Sequence, residues 1–196
     1  MRTKDTIIQV AENIIVKKGF QALSYQNISN EISVQIAQIH EFFPTKDELG
    51  QAVIRKSRFN FLEWAQQIDL SNLKAAEKLN EFFISYRLLL HDGNKICIAG
   101  ILGTELNSLS KVILNELRMY NQDRKNWLQN LLSDGLSNGS FKLNASLEED
   151  SIYILSSLQG GLQITRTNDD HEIFFTICRQ LMKQFVRSQE AVMYKV

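Results

Sequence analysis

Residues 28–49 of the chain read Ile28-Ser-Asn-Glu-Ile-Ser-Val-Gln-Ile-Ala-Gln-Ile-His-Glu-Phe-Phe-Pro-Thr-Lys-Asp-Glu-Leu49. The spacing of apolar side chains predicts two short helices with a turn near Ser33 between them. The second helix must end by Phe43, because Pro44 lacks a backbone N–H and disfavours helix in the residue before it. Thr45-Lys-Asp-Glu48 is a capping box that opens a third helix. The middle helix is too short to be stable alone, so its neighbours must hold it on the surface.

A further helix is predicted upstream of this stretch, ending at a glycine and a phenylalanine. The informative positions are Ile7, Ile8, Ala11, Gly19, Phe20, Ser24, Ile28, Val34, Ile39, Phe42, Phe43, Pro44, Thr45, Lys46 and Leu49. This ordered set resembles the DNA-binding domain of the TetR/AcrR family of bacterial transcription regulators. The resemblance implies an all-α protein of about nine helices. It places a three-helix helix-turn-helix domain at residues 1–48 and a helical effector-binding and dimerisation domain at residues 49–196.

The turn and the recognition helix depart from the family pattern. Ser33 stands where the family usually has glycine, and a left-handed conformation costs a non-glycine residue on the order of 1 kcal/mol. The usual Ser-Lys-Gly-Thr opening of the recognition helix is replaced here, and Phe42 has no hydroxyl for a phosphate. We therefore expect base readout from Gln35 and Gln38, whose amides match the N6 and N7 edge of adenine, with His40 as a third candidate.

The complete set of candidate DNA contacts covers three helix starts and the N-terminus. It consists of Ser24, Gln35, Ile36, Ala37, Gln38, His40 and Lys46, with Arg2 and Lys4 as an N-terminal arm. Ser24 and Lys46 are included because their helix starts resemble the family's phosphate clamps, and helix N-termini also favour anions. Ordinary alternatives stay open, because the glutamines could be solvated positions, His40 a packed ring and Ser24 only a helix cap.

The charge of the first domain does not favour DNA binding. Residues 1–50 carry five basic and six acidic side chains, and adding Arg55, Lys56 and Arg58 brings the balance only to +2. A more positive domain is expected, because neutralised phosphates and released counterions supply much of the affinity for DNA. An alternative function therefore stays open, in which a helical dimer of the same fold has lost operator binding and acts through protein partners.

The composition of the whole chain is that of an ordinary globular protein. It has 196 residues, zero net charge, 44% hydrophobic residues and one proline. Two cysteines without zinc-type spacing, no secretory signal and no apolar run near ~18 residues predict a cytoplasmic protein. The three histidines lack metal spacing, and neither a phosphate-binding glycine loop nor a nucleophile elbow occurs. We therefore expect no enzymatic activity, no catalytic residue, no cofactor and no metal.

Helical spacing continues beyond residue 50. It predicts helices near 73–90, 95–108 and 112–136, the first ended by His91-Asp-Gly-Asn94. Two more follow the capping box Ser146-Leu-Glu-Glu149 and Asp170. The last two helices are the expected dimer interface, since two helices from each subunit can form a four-helix bundle. Close approach there would involve Ser156, Ser157, Gly160 and Gly161, although the two glycines could simply bend an internal helix.

Effector contacts can be assigned only by position on the helices that enclose the family's cavity. The resemblance implies Phe83, Tyr86, Arg87, Ile101, Glu105, Trp127 and Tyr153. Their aromatic rings favour a largely apolar or planar effector. Most of them could also be core residues, and Arg87 and Glu105 could pair with each other.

The segment 95–110 resembles a subgroup that contains the electrophile-responsive repressor named for N-ethylmaleimide. This resemblance makes Cys97 a candidate redox or electrophile sensor, because a helix N-terminus and the neighbouring Lys95 lower the pKa of a thiol. The alternative is a buried, inert thiol, which is also the expectation for Cys178. As a whole, the resemblance implies a homodimeric repressor on a palindromic double-stranded DNA operator. A small-molecule or electrophile effector would release it, and no membrane is involved.

Overall fold

The computed structural model describes residues 2–91 and 96–187, and within these ranges the chain is all-α, as predicted. The described helices are α1 (Arg2–Lys18), α2 (Tyr25–Ile32), α3 (Ile36–Phe42), α4 (Lys46–Leu70), α5 (Ala75–His91), α6 (Ile98–Gly103), α7 (Lys111–Ser137), α8 (Leu147–Asn168) and α9 (His171–Phe185). Two 3₁₀ turns occupy Phe20–Ala22 and Leu106–Ser108. Phe141 and Val186 form an isolated antiparallel bridge. No helix in the described part is both long and apolar enough to cross a membrane.

The chain divides into two compact units. The first contains Met1–Leu62 and Cys97–Gln122, and the second contains Glu63–Ile96 and Asp123–Val196. The first unit extends beyond the predicted DNA-binding domain because α6 packs on α1. The boundary predicted between residues 48 and 49 stays a prediction, since compactness and DNA binding are different criteria.

The core of the first unit is built on the apolar face of α1. Ile7, Ala11 and Ile15 are fully buried there, and Ile28 of α2 and Ile39 of α3 are buried as well. The face repeats every three to four residues, which is the spacing that puts side chains on one side of a helix. The helix-turn-helix thus rests on α1.

The core of the second unit is an aromatic cluster together with the contact between α8 and α9. The Phe82 ring centroid lies 5.9 Å from that of Trp64 and 5.2 Å from those of Tyr86 and Trp127. Cys178 is fully buried in α9, as predicted, and this burial raises the pKa of its thiol to about 12. This thiol stays protonated at neutral pH.

Candidate nucleic-acid interface

The turn of the helix-turn-helix forms without glycine. Ser24 begins α2, and its hydroxyl accepts a hydrogen bond from the backbone N–H of Asn27 at 3.1 Å. Ser33 follows α2 in the left-handed conformation, with φ 54° and ψ 41°. The predicted cap and the predicted left-handed turn are therefore both confirmed, and Ser33 carries the backbone strain that glycine would avoid.

The first turn of α3 presents a neutral polar surface. Gln35, Ala37 and Gln38 are exposed, whereas Ile36 is half-buried and Ile39 is fully buried. Within the described part of the chain, Gln35 stands at the N-cap of α3 without a side-chain cap hydrogen bond. Two amides and a methyl group therefore face solvent. The amides can pair with adenine, and the methyl group can contact the methyl group of thymine.

His40 combines its two predicted alternatives, because it is exposed and also held by a neighbouring ring. Its ring meets that of Tyr25 edge-on, with centroids 4.6 Å apart. Its Nδ1 lies 3.3 Å from the carbonyl oxygen of Pro44. Tyr25 in turn donates its hydroxyl to the carbonyl of Phe43 at 2.6 Å. Tyr25 therefore fixes the end of α3 against the start of α2, and it was not among the predicted site residues.

Lys46, one of the predicted basic contacts, is engaged within the protein. Lys46 donates from Nζ to the carbonyl of Gln21 at 3.2 Å and lies 4.7 Å from the ring centroid of Phe20. Burial lowers the pKa of Lys46, and this effect is opposed by the Glu105 and Asp47 carboxylates. Lys46 is therefore partly desolvated and bonded within the protein, and it is not a freely solvated cation available to a phosphate.

The residues of the predicted N-terminal arm lie in a helix. Helix α1 begins at Arg2, so residues 2–4 are helical. Lys4 lies 5.5 Å from the ring centroid of Phe43, and the side chain of Arg2 lies outside the described part of the structure. DNA contacts by either residue remain a prediction.

Glu116 of α7 pairs with two of the cations that improved the charge balance. Its carboxylate lies 2.9 Å from Nε of Arg55 and 3.5 Å from Nη1 of Arg58, and the side chain is 6% exposed. This partner was not predicted, because it lies some 60 positions away in the chain. The two ion pairs connect α4 to α7. They leave one net positive charge, and the Arg55 side chain is 62% exposed.

The predicted effector residues belong to both compact units. Ile101 and Glu105 belong to the first unit, whereas the others belong to the second. Phe83, Tyr86 and Trp127 are buried, Arg87 is half-buried, and Tyr153 is 47% exposed on α8.

Two of the buried effector candidates are fixed by polar partners. Tyr86 accepts a hydrogen bond from the buried Arg124, and Trp127 donates to the Asp69 carboxylate at 3.1 Å. Among the described residues, Nε of Arg87 has no hydrogen-bond partner. These contacts favour the core alternative for Tyr86 and Trp127.

Cys97 occupies the N-cap position of α6 and is 7% exposed. Lys95, the cation predicted beside it, lies outside the described residues, as do Asp92, Gly93 and Asn94 of the predicted helix end. The burial of Cys97 favours the inert alternative, while its place at a helix start is the one predicted for a sensor.

An open groove of about 350 Å³ lies between α8 and α9. It is lined by Tyr153, Ser156, Ser157, Gly160, Gly161, Ile164, Thr176, Ile177, Gln180 and Leu181. Ile152, Tyr153 and Ile164 are about half exposed along α8. An exposed apolar stripe of this kind on a helix pair is characteristic of a protein–protein interface.

Comparison with known proteins identifies relatives. Residues 7–53 match the bacterial regulatory proteins of the tetR family. A TetR transcriptional regulator from Legionella pneumophila is 30% identical, with a TM-score of 0.85 over 92% of this chain and 96% of that one. No curated protein matches the chain by sequence.

Two further crystal structures share the fold. A TetR-family regulator from Agrobacterium tumefaciens has a TM-score of 0.89 at 21% identity, covering 94% of this chain and 97% of that one. The reduced form of NemR from E. coli has a TM-score of 0.86 at 12% identity, covering 95% and 98%. At these identities the likeness establishes architecture alone.

Proposed function

The chain belongs to the TetR family of bacterial transcriptional regulators, and on this basis we propose that it represses transcription as a homodimer bound to a palindromic DNA operator. An effector would release the operator by binding the DNA-incompetent state more tightly, since only differential affinity shifts a two-state equilibrium. As a family member it is a DNA-binding regulator rather than an enzyme. Repression, the palindrome and the effector are the parts proposed here.

The observation that carries the proposal is the exposed first turn of α3. Gln35, Ala37 and Gln38 face solvent while Ile39 anchors the helix in the core. This is the arrangement that a recognition helix needs to enter a major groove. Because all three exposed side chains are neutral, we propose that base contacts contribute much of the specificity while phosphate contacts contribute comparatively little affinity.

The groove between α8 and α9 supports the proposed homodimer. A second copy placed on it would cover the exposed Ile152, Tyr153 and Ile164. Two helices from each subunit would then form a four-helix bundle. A two-fold dimer matches a two-fold operator, because it sets the distance between the two recognition helices.

The test is fluorescence anisotropy of the purified protein against duplexes tiled across the DNA upstream of its own gene, repeated at several salt concentrations. Saturable binding to one palindromic duplex, with two chains per site and an affinity that falls only modestly with salt, would support the proposal. Equal binding to every duplex at low salt, or none, would contradict operator recognition. It would favour the protein-partner alternative, which the acidic first domain and the Arg55 and Arg58 pairs with Glu116 also favour.

Gln38→Ala is expected to weaken operator binding roughly tenfold and to relax the preference at one A·T pair, because a bidentate base contact contributes about 1–3 kcal/mol of discrimination. The measurement is anisotropy on the operator and on duplexes with single A·T to G·C changes. Gln67→Ala removes an exposed glutamine of α4 outside the first unit and is the matched control. An unchanged base preference in Gln38→Ala would remove Gln38 from the readout.

The sensor alternative for Cys97 predicts that N-ethylmaleimide releases the operator from the wild-type protein and from Cys178→Ser but not from Cys97→Ser, whereas the inert alternative predicts no release from any of them. Cys178 is fully buried with a thiol pKa of about 12, so it should react far more slowly than Cys97. Mass spectrometry would assign the modified residue while anisotropy follows release. If N-ethylmaleimide still released the operator from Cys97→Ser, Cys97 would not be the sensor. A small-molecule effector would then be the remaining alternative.

A further inference from the structure

Glu105 contacts the turn between α1 and α2 through two hydrogen bonds. Its Oε1 accepts from the backbone N–H of Phe20 at 3.1 Å, and its Oε2 accepts from that of Gln21 at 3.3 Å. The first N–H groups of a helical turn have no partner within the turn and need one from elsewhere. Glu105 therefore supplies a cap to the 3₁₀ turn Phe20–Ala22 from 85 positions further along the chain.

Gly19 provides the space that this carboxylate occupies. Its φ is 85°, a conformation that side chains disfavour, and its N–H donates to the carbonyl of Ile15 at 2.8 Å. A Cβ at this position would collide with Oε1 of Glu105. Gly19 was predicted from the sequence to end α1. It thus has a second role, which is to leave space for the Glu105 carboxylate.

The backbone of Glu105 is itself fixed at the end of α6. Its N–H donates to the carbonyl of Leu102 at 3.1 Å, and its carbonyl accepts from the N–H and the hydroxyl of Ser108 at 2.9 and 2.8 Å. The side chain therefore extends from an ordered junction rather than a loose loop. Its bonds to Phe20 and Gln21 connect α6 to the chain that leads into α2.

Lys46 holds the same turn from the start of α4. Its Nζ donates to the carbonyl of Gln21 while Glu105 accepts from the N–H of that residue. The peptide groups on either side of Gln21 are thus bound by a cation and an anion from two different helical segments. We name this arrangement of Gly19, Phe20, Gln21, Lys46 and Glu105 the Glu105 clamp.

We propose that Glu105 is a positioning residue for the DNA-binding helices, and that its carboxylate sets the orientation of α2 and α3 relative to α6. This rests on the proposed function and assigns Glu105 a role other than the effector contact predicted from sequence. Hydrogen bonds to a carboxylate are roughly twice as strong as neutral ones, so the clamp is stiff. A stiff clamp matters most when two recognition helices must meet two half-sites at once.

The contact itself is tested by amide hydrogen exchange in the full-length protein. Glu105→Ala is expected to accelerate exchange at Phe20 and Gln21 roughly tenfold or more, because a protected amide loses its acceptor. Glu105→Gln keeps an acceptor of the same shape without the charge and should fall between the two. Glu63→Gln changes an exposed carboxylate of α4 by the same charge and should match wild type. Unchanged exchange at both amides in both Glu105 variants would overturn the clamp.

The positioning role is tested with two duplexes cut from the operator found by the anisotropy scan, one with two half-sites and one with a single half-site. Glu105→Ala is expected to weaken binding to the first roughly three- to thirty-fold, the range typical of coupling residues, and binding to the second less than twofold. Glu105→Gln should recover part of the loss. Equal losses on both duplexes would overturn positioning. If wild type bound no duplex, the proposed function would fail, and the exchange result would still decide whether Glu105 holds the turn.

Discussion

Gly160→Arg is expected to convert the proposed homodimer into a monomer and to weaken operator binding roughly 100-fold or more, because burying an unpaired charge costs about 3–5 kcal/mol. Gly160 lies in the groove between α8 and α9, and among the described atoms nothing would come within 4 Å of a Cβ added there. The Cβ of the new side chain therefore meets no described atom of its own chain. On a two-fold interface each copy would introduce one such charge, and the two would repel each other.

Sedimentation velocity at several protein concentrations would measure the monomer–dimer equilibrium, with anisotropy on the operator in parallel. Gly103→Arg is the matched control, since a Cβ at Gly103 of α6 also meets no described atom within 4 Å. It adds the same charge away from the groove and should leave the dimer intact. A Gly160→Arg protein that sedimented as a wild-type dimer would show that the chain pairs through another surface.

The neighbouring glycine is unsuitable for this test. A Cβ at Gly161 would lie 2.9 Å from Cδ1 of Ile177 and 3.2 Å from Cδ2 of Phe174, both in α9 of the same chain. Gly161 therefore allows α8 and α9 to pack within one subunit, whereas Gly160 opens the groove. From the sequence, Gly160 and Gly161 were interpreted either as interface residues or as a bend in the helix. In the structure the two residues differ, because Gly161 faces α9 of the same chain and Gly160 faces the open groove.

Helix boundaries were predictable because their chemistry is local. Ser24, Thr45 and Ser146 each cap a helix by accepting a backbone N–H three residues ahead, and Asp170 caps one by accepting from Glu172. Pro44 disfavours helix in the residue before it, and Ser33 ends α2 in a left-handed conformation. These two signals are local as well. Such features depend on a few consecutive residues, so a single sequence is sufficient to locate them.

The partners of the charged side chains were not predictable, because they lie far away in the chain. Glu105 binds residues 85 and 84 positions earlier, and Glu116 binds Arg55 across 61 positions. Helical periodicity shows which face of a helix is apolar, but it does not show which distant segment meets a half-buried carboxylate. For this reason Glu105 was expected near an effector, and Arg55 was counted in the charge balance without its partner.

Phe82→Ala is expected to destabilise the protein by about 3–5 kcal/mol, the usual cost of removing a buried phenylalanine ring. The Phe82 side chain is 1% exposed and contacts the rings of Trp64, Tyr86 and Trp127. Tyr86 and Trp127 were predicted to bind an effector, so this substitution also distinguishes core from cavity. A ring that already bordered an empty cavity would lose fewer contacts and cost less.

Thermal unfolding followed by tryptophan fluorescence would measure the change, since Trp64 and Trp127 lie in the cluster. For a chain of this size each kcal/mol lowers the Tm by about 2–4 °C, so a loss of roughly 6–20 °C is expected. Protein concentration must be matched, because a dimer gains stability from association. Phe59→Ala makes the same change at a ring that is 53% exposed and should cost less than about 1 kcal/mol. If Phe82→Ala and Phe59→Ala had the same Tm, the aromatic cluster would surround a cavity. Tyr86 and Trp127 would then again be the leading effector contacts.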